Sequence, residues 1–192
     1  MIIFPGQGSQ SHQMCKQIIA HREYQDIFEE VHQISNINIK EVIMNEKYKN
    51  DINKTIYSQI AIFTCSAVLF QYAKKCNLIK DAVATSGHSL GTYSALHASE
   101  AISLNDCLSI IKYRSAYMSN AIQEQQNTGM LAVIGDIQYK TLEKEISDIE
   151  NIYIANHNSP SQIVLSGAMQ SIEKIKIKLS QEKLKLINLP TE

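Results

Sequence analysis

The chain has 192 residues, enough for one sizeable core or for a domain with a smaller subdomain. Its 44% hydrophobic and 19% charged content is that of an ordinary globular protein, and a net charge of −1 without a basic block argues against nucleic-acid or anionic-membrane partners. The four cysteines, Cys15, Cys65, Cys76 and Cys107, form no C-x-x-C and no metal-ligand spacing, so free buried thiols in a reducing compartment are expected, and no metal.

The opening MIIFPGQGSQ lacks the basic region and long apolar run of a signal peptide. The most apolar segment, Ile60 to Phe70, is interrupted by Thr64, Cys65 and Ser66 and is too short to span a bilayer. No membrane association and a cytoplasmic location are therefore expected.

In chain order, Met1 to Phe4 reads as a buried strand ended by Pro5-Gly6. Ile27, Phe28, Val31 and Ile34 fall at helical spacing, and Ile39, Val42 and Ile43 do so again. Thr55 to Lys75 reads as a largely buried helix. Ala82-Val83-Ala84 is a strand candidate running into Ser86-Gly87-His88-Ser89-Leu90-Gly91, and Leu90 to Ser99 reads as a helix. Leu108, Ile111, Ser115, Met118 and Ile122 keep a 3–4–3–4 spacing, which predicts an amphipathic helix over Asn105 to Gln125.

Beyond Asn127-Thr128-Gly129 the pattern changes. Met130 to Ile134 predicts a strand, Tyr139 to Ile149 a helix and Ile152 to Ile154 a strand. A turn at Ser159-Pro160 follows, then the strand Ile163 to Leu165, a helix over Ile172 to Leu179 and a strand over Leu184 to Leu189. That order, β-α-β-β-α-β, is the ferredoxin-like unit. The chain thus divides, on sequence, into 1–127 and 128–192.

Two stretches carry chemistry. Gly87-x-Ser89-x-Gly91 matches the nucleophile elbow: its glycines permit a strained strand-to-helix turn that lifts a serine hydroxyl out of the backbone. The N–H of Leu90, at the start of the following helix, is free to meet an oxyanion. Phe4-Pro5-Gly6-Gln7-Gly8-Ser9-Gln10, after the first strand, is read on its own either as an ordinary Gly-rich turn or as a loop that brings backbone close to a ligand. Arg114 borders the buried face of its helix, where its planar fork suits a carboxylate, either of a ligand or of a structural ion pair.

Together these stretches resemble the malonyl-CoA:acyl-carrier-protein transacylases, acyltransferases of fatty-acid and polyketide synthesis. Three more agree in order: Thr55-x-x-x-Gln59, Arg114 followed by Gly129-Met130-Leu131-Ala132-Val133-Ile134-Gly135, and Asn156-x-Asn158-Ser159-Pro160-x-Gln162-x-Val164-x-Ser166-Gly167. The resemblance implies an α/β fold. A hydrolase-like large subdomain with a parallel sheet, incomplete here, would carry a ferredoxin-like small subdomain.

It also implies roles. Ser89 takes a malonyl group from malonyl-CoA and gives it to the phosphopantetheine thiol of acyl carrier protein. Gln7 and Leu90 form the oxyanion hole. Arg114 clamps the free carboxylate, Gln59 orients the arginine or the substrate, and His88 and Asn156 contact the substrate or support the site. No cofactor is bound; the coenzyme A thioester is the substrate. The family's catalytic histidine would follow a motif begun by Leu189-Pro190-Thr191-Glu192, after the last residue of this chain. The base is then expected from His157 or from a separate C-terminal fragment. The alternative is a split or inactive chain that binds acyl-CoA or carrier protein. Thr92, in place of an acidic residue, and Ile60, in place of proline, also depart from the family pattern.

Overall fold

The computed structural model describes residues 1–124 and 127–189. Gln125, the predicted end of a helix, and Pro190, Thr191 and Glu192 lie outside the described residues. In chain order the elements are β1 (Ile2–Phe4), α1 (Lys16–Ile19), α2 (Gln25–Ser35), α3 (Ile39–Met44), α4 (Thr55–Lys75), β2 (Thr85–Gly87), α5 (Gly91–Ala98) and α6 (Leu104–Glu124). There follow β3 (Thr128–Ile134), α7 (Tyr139–Ile146), β4 (Ile152–Ser159), β5 (Gln162–Ala168), α8 (Met169–Leu179) and β6 (Lys185–Leu189). The chain clusters into two compact units, Met1–Ala121 and Ile122–Glu192.

In the first unit β1 and β2 form a parallel pair with Ile2 opposite Thr85, Ile3 opposite Ser86 and Phe4 opposite Gly87. The observed strand lies three residues beyond the predicted Ala82–Ala84. Its composition, Thr-Ser-Gly, carries no apolar alternation, so its position is dictated by the partner strand rather than by its own propensity. Ile2 N–H still reaches back to the Ala84 carbonyl at 2.9 Å.

Helix α4 has no glycine or proline and buries Thr55 and the whole run Ser58 to Val68. A helix apolar on all sides belongs inside a core. It is long and apolar enough to cross a membrane, but its burial fits the core of this unit. Phe63 and Ile60 pack there with Val31, Ile43, Leu90, Leu108 and Ile111. Lys74 and Lys75 in its last turn face the negative end of the helix dipole.

The second unit has the β-α-β-β-α-β order predicted for it. Its four strands are antiparallel in the order β4-β5-β3-β6, and its core joins Leu131, Val133, Ile163 and Leu165 of the sheet to Leu142 of α7 and Ile172 and Ile175 of α8. Strand β4 runs on to Ser159, two bulges included, because β5 pairs with it as far as Gln162. Asn156 and His157 therefore sit in a strand, not in the predicted loop.

All four cysteines are free. Cys65 and Cys107 are buried and Cys15 is half-buried, but Cys76, past the end of α4, is exposed. Burial, with Asp106 beside it, raises the Cys107 thiol to about 11. The thiol of Cys65 is raised and that of Cys15 lowered, chiefly by the hydrogen bond between them. A thiol whose folded value lies above the working pH stays protonated and inert. Iodoacetamide at pH 8 is thus expected to label Cys76 and Cys15 in the native chain, and Cys65 and Cys107 only after denaturation; peptide mapping checks the order.

Candidate active site

Strand β2 ends at Gly87 and helix α5 begins at Gly91, so three residues turn the chain between them. Ser89 sits at the apex with φ 51°, in the left-handed region. For a residue with a side chain that conformation costs about 1–2 kcal/mol, so the surroundings must hold it. They do so by backbone contact. A Cβ on Gly87 would lie 2.0 Å from the carbonyl carbon and oxygen of Gly91. One on Gly91 would lie 2.3 Å from the Phe4 carbonyl oxygen. The start of α5 is thereby seated on the end of β1, and the Ser89 side chain stands exposed.

The first turn of helix α5 is closed by bonds that span three residues. Gly91 N–H donates to His88 O at 2.9 Å and Thr92 N–H to Ser89 O at 3.1 Å. Among the described residues nothing accepts from the N–H of Leu90, whose side chain is fully buried. The N–H of Gln7 is likewise unused among them. The loop bearing Gln7 is held against the turn: a Cβ on Gly6 would come within 2.7 Å of His88 O, and His88 N–H donates to Phe4 O at 3.3 Å. His88 thus links the turn to the loop, while its exposed ring lies beside Gly6.

Arg114 reaches the serine from α6. Ile111 and Ser115 on either side of it are fully buried, which leaves Arg114 half-buried at the border of the core face. Its Nη2 donates to Ser89 Oγ at 3.1 Å. Its Nη1 is buried with no hydrogen-bond partner among the described residues. A buried guanidinium N–H without an acceptor costs roughly 1–3 kcal/mol, so the fork is one acceptor short.

Gln59, fully buried on α4, donates from Nε2 to Gln7 Oε1 at 3.2 Å and to the Met118 thioether at 3.4 Å. Gln7 Nε2 in turn donates to Thr55 Oγ1 at 3.1 Å. Gln59 therefore meets the loop rather than the arginine, and its own Oε1 is buried with no partner among the described residues. Ser89, Leu90, Arg114, Gln7, Gln59 and His88 all belong to the first unit. Asn156 and His157 belong to the second, where the exposed ring of His157 packs on Tyr139 at 5.5 Å between centroids.

Two contributors escaped sequence reasoning. Met118 read as a core residue of its helical stripe, yet its sulfur accepts from Gln59. Thr55 was a letter of a motif, with nothing to show that it would meet Gln7, 48 residues earlier in the chain. Among the described residues no cluster of His, Cys, Asp and Glu suits a metal ion.

This chain is 34% identical over 175 residues to a polyketide biosynthesis malonyl CoA-acyl carrier protein transacylase of Bacillus subtilis, covering 90% of this chain and 57% of that protein. It is 34% identical over 196 residues to the malonyl CoA-acyl carrier protein transacylase of Buchnera aphidicola, covering 97% of this chain and 60% of the relative. Among solved structures, the malonyl CoA-acyl carrier protein transacylase of Clostridium perfringens superposes with a TM-score of 0.86 at 30% identity, over 99% of this chain and 60% of its own. The chain spans about 60% of the length of these relatives. Residues 1–188 match the acyl transferase domain, and the chain belongs to that family.

Proposed function

We propose that this chain carries the acyl-accepting centre of a malonyl-CoA:acyl-carrier-protein transacylase. The observation that carries the reading is Arg114, which touches Ser89 Oγ with one nitrogen and holds the other buried and unpartnered. A guanidinium so placed beside a nucleophile suits a substrate with a free carboxylate close to its reacting carbonyl, and malonyl-CoA is such a substrate.

In the first step Ser89 Oγ bonds to the thioester carbonyl carbon. The negative charge gathered on the carbonyl oxygen is met by the N–H groups of Gln7 and Leu90; one such donor is worth about 10²–10³-fold in rate. The C–S bond then breaks, and coenzyme A leaves as a thiol with the serine proton. In the second step the phosphopantetheine thiol of carrier protein attacks the ester, its proton returns to Ser89 Oγ, and a thioester is re-formed. The Gly87–Gly91 turn is the nucleophile elbow of this reading. The serine proton needs an acceptor in between. Arg114 cannot be that group, because a guanidinium has no acceptor atom.

The hydrogen bond from Arg114 to Ser89 Oγ also favours a second reading, a chain that binds acyl-CoA or carrier protein without turnover. One experiment separates the two. The full chain is incubated with malonyl-CoA and its intact mass measured, with Ser89→Ala in parallel. A malonyl adduct mapping to Ser89 and absent from Ser89→Ala is expected. No adduct would sink the enzymatic reading for this chain. Should the adduct form, His157→Ala tests the local base: abolished acylation assigns it to His157, and unchanged acylation removes it.

A further inference from the structure

The proposed role of Gln7 uses its backbone N–H alone, yet both ends of its side-chain amide are tied down. Gln7 Nε2 donates to Thr55 Oγ1 at 3.1 Å, and Gln7 Oε1 accepts from Gln59 Nε2 at 3.2 Å. The residue itself is exposed, whereas its anchors are not: Thr55 is 2% exposed and Gln59 fully buried. A second tie lies further along the loop, where Gln10 Nε2 donates to Asn53 Oδ1 at 3.1 Å while Gln10 Oε1 accepts from Gly8 N–H at 2.8 Å. Among the described residues the loop's one internal backbone–backbone bond, Ser9 N–H to Gly6 O, is long at 3.4 Å, and Ser9 Oγ donates to the same carbonyl at 2.8 Å, so side chains do most of the holding.

We propose that Thr55 is a positioning residue for the oxyanion hole: its hydroxyl, fixed in the first turn of α4, holds the Gln7 side chain so that the Gln7 N–H faces the Ser89 turn. The inference rests on the transacylase reading. It assigns Thr55 no contact with substrate. An oxyanion donor works by being in place before the charge develops, so slack in its loop lowers the rate of the chemical step and leaves substrate binding alone.

The test is the rate of Ser89 acylation by malonyl-CoA in the full chain, by rapid quench and intact mass. Thr55→Val keeps the shape and removes the acceptor. A roughly tenfold fall in the maximal rate is expected, with the half-saturating malonyl-CoA concentration unchanged, because a displaced catalytic group costs rate steeply. Thr55→Ser is expected to restore the parent rate. Gln7→Met, on the exposed loop, keeps the backbone N–H but removes both anchors, so it should be at least as slow as Thr55→Val, and the double variant should be no slower than Gln7→Met alone. Gln7→Met also carries the test if Thr55→Val does not fold. Parent rates in Thr55→Val or Gln7→Met, a changed half-saturation alone, failure of Thr55→Ser to rescue, or additive losses would each overturn the proposal. Hydrogen exchange of residues 5–10 reads the tie without catalysis: Thr55→Val should speed it, and unchanged exchange counts against the proposal even if the rate falls. A parent chain that forms no adduct would overturn the transacylase reading and this inference together; a reactive parent with an indifferent Thr55→Val overturns this inference alone.

Discussion

Gly87→Ala is expected to cost about 3 kcal/mol of stability and to abolish acylation of Ser89, because the added methyl meets only backbone. It would lie 2.0 Å from the carbonyl carbon and oxygen of Gly91 and 2.5 Å from the nitrogen of Thr92. No rotamer change relieves such contacts. The turn must open, and Ser89 then leaves the left-handed conformation, φ 51°, that presents its hydroxyl. The matched control is Gly8→Ala. Gly8 has φ +104°, but a Cβ there meets nothing within 4 Å, so its cost is conformational alone, about 1 kcal/mol. Urea unfolding midpoints of the two variants give the comparison. A Gly87→Ala midpoint equal to that of Gly8→Ala would show that the close approach of strand and helix is not what holds the turn.

The readable part of this site is the part that local sequence encodes. Gly87, Ser89 and Gly91 declare themselves by spacing, since a strained turn needs glycine where backbone touches backbone. Arg114 declares itself by phase, three residues after the buried Ile111. The order of elements in the second unit was legible, because Leu131, Val133, Ile163 and Leu165 alternate with residues of the opposite face and Ile172 and Ile175 keep helical spacing. Pairing that depends on a distant partner was not legible. Strand β2 is three residues of weak propensity, placed by β1. Strand β4 reaches past Ile154 because β5 continues opposite it, and that carried Asn156 and His157 out of the predicted loop. The bonds from Gln7 to Thr55 and Gln59 span 48 and 52 residues, and no periodicity reports a hydrogen bond between a loop and a helix that far apart.

Arg114→Ala is expected to remove a preference for malonyl-CoA over acetyl-CoA, with a loss of about 10²-fold in malonyl transfer and little change in acetyl transfer. A hydrogen-bonded charge pair contributes about 1.5–3 kcal/mol, and a bidentate one lies at the upper end. Only malonyl-CoA offers the carboxylate. The arginine is half-buried, with Nη2 on Ser89 Oγ and Nη1 buried without a partner, so an incoming carboxylate satisfies a donor that now has none. Truncation removes that donor along with the charge. The cost falls on the substrate with the carboxylate, which must shed water and gains no partner in return. Arg114→Lys separates charge from geometry: a lysine keeps the charge but lacks the fork, and an intermediate preference is expected. The measurement is a competition, with both thioesters present and the adducts on Ser89 resolved by mass. Retention of the malonyl preference in Arg114→Ala would return Arg114 to the plainer role of a structural cation that steadies the serine. In that case Ser89 would accept acyl groups without regard to a free carboxylate.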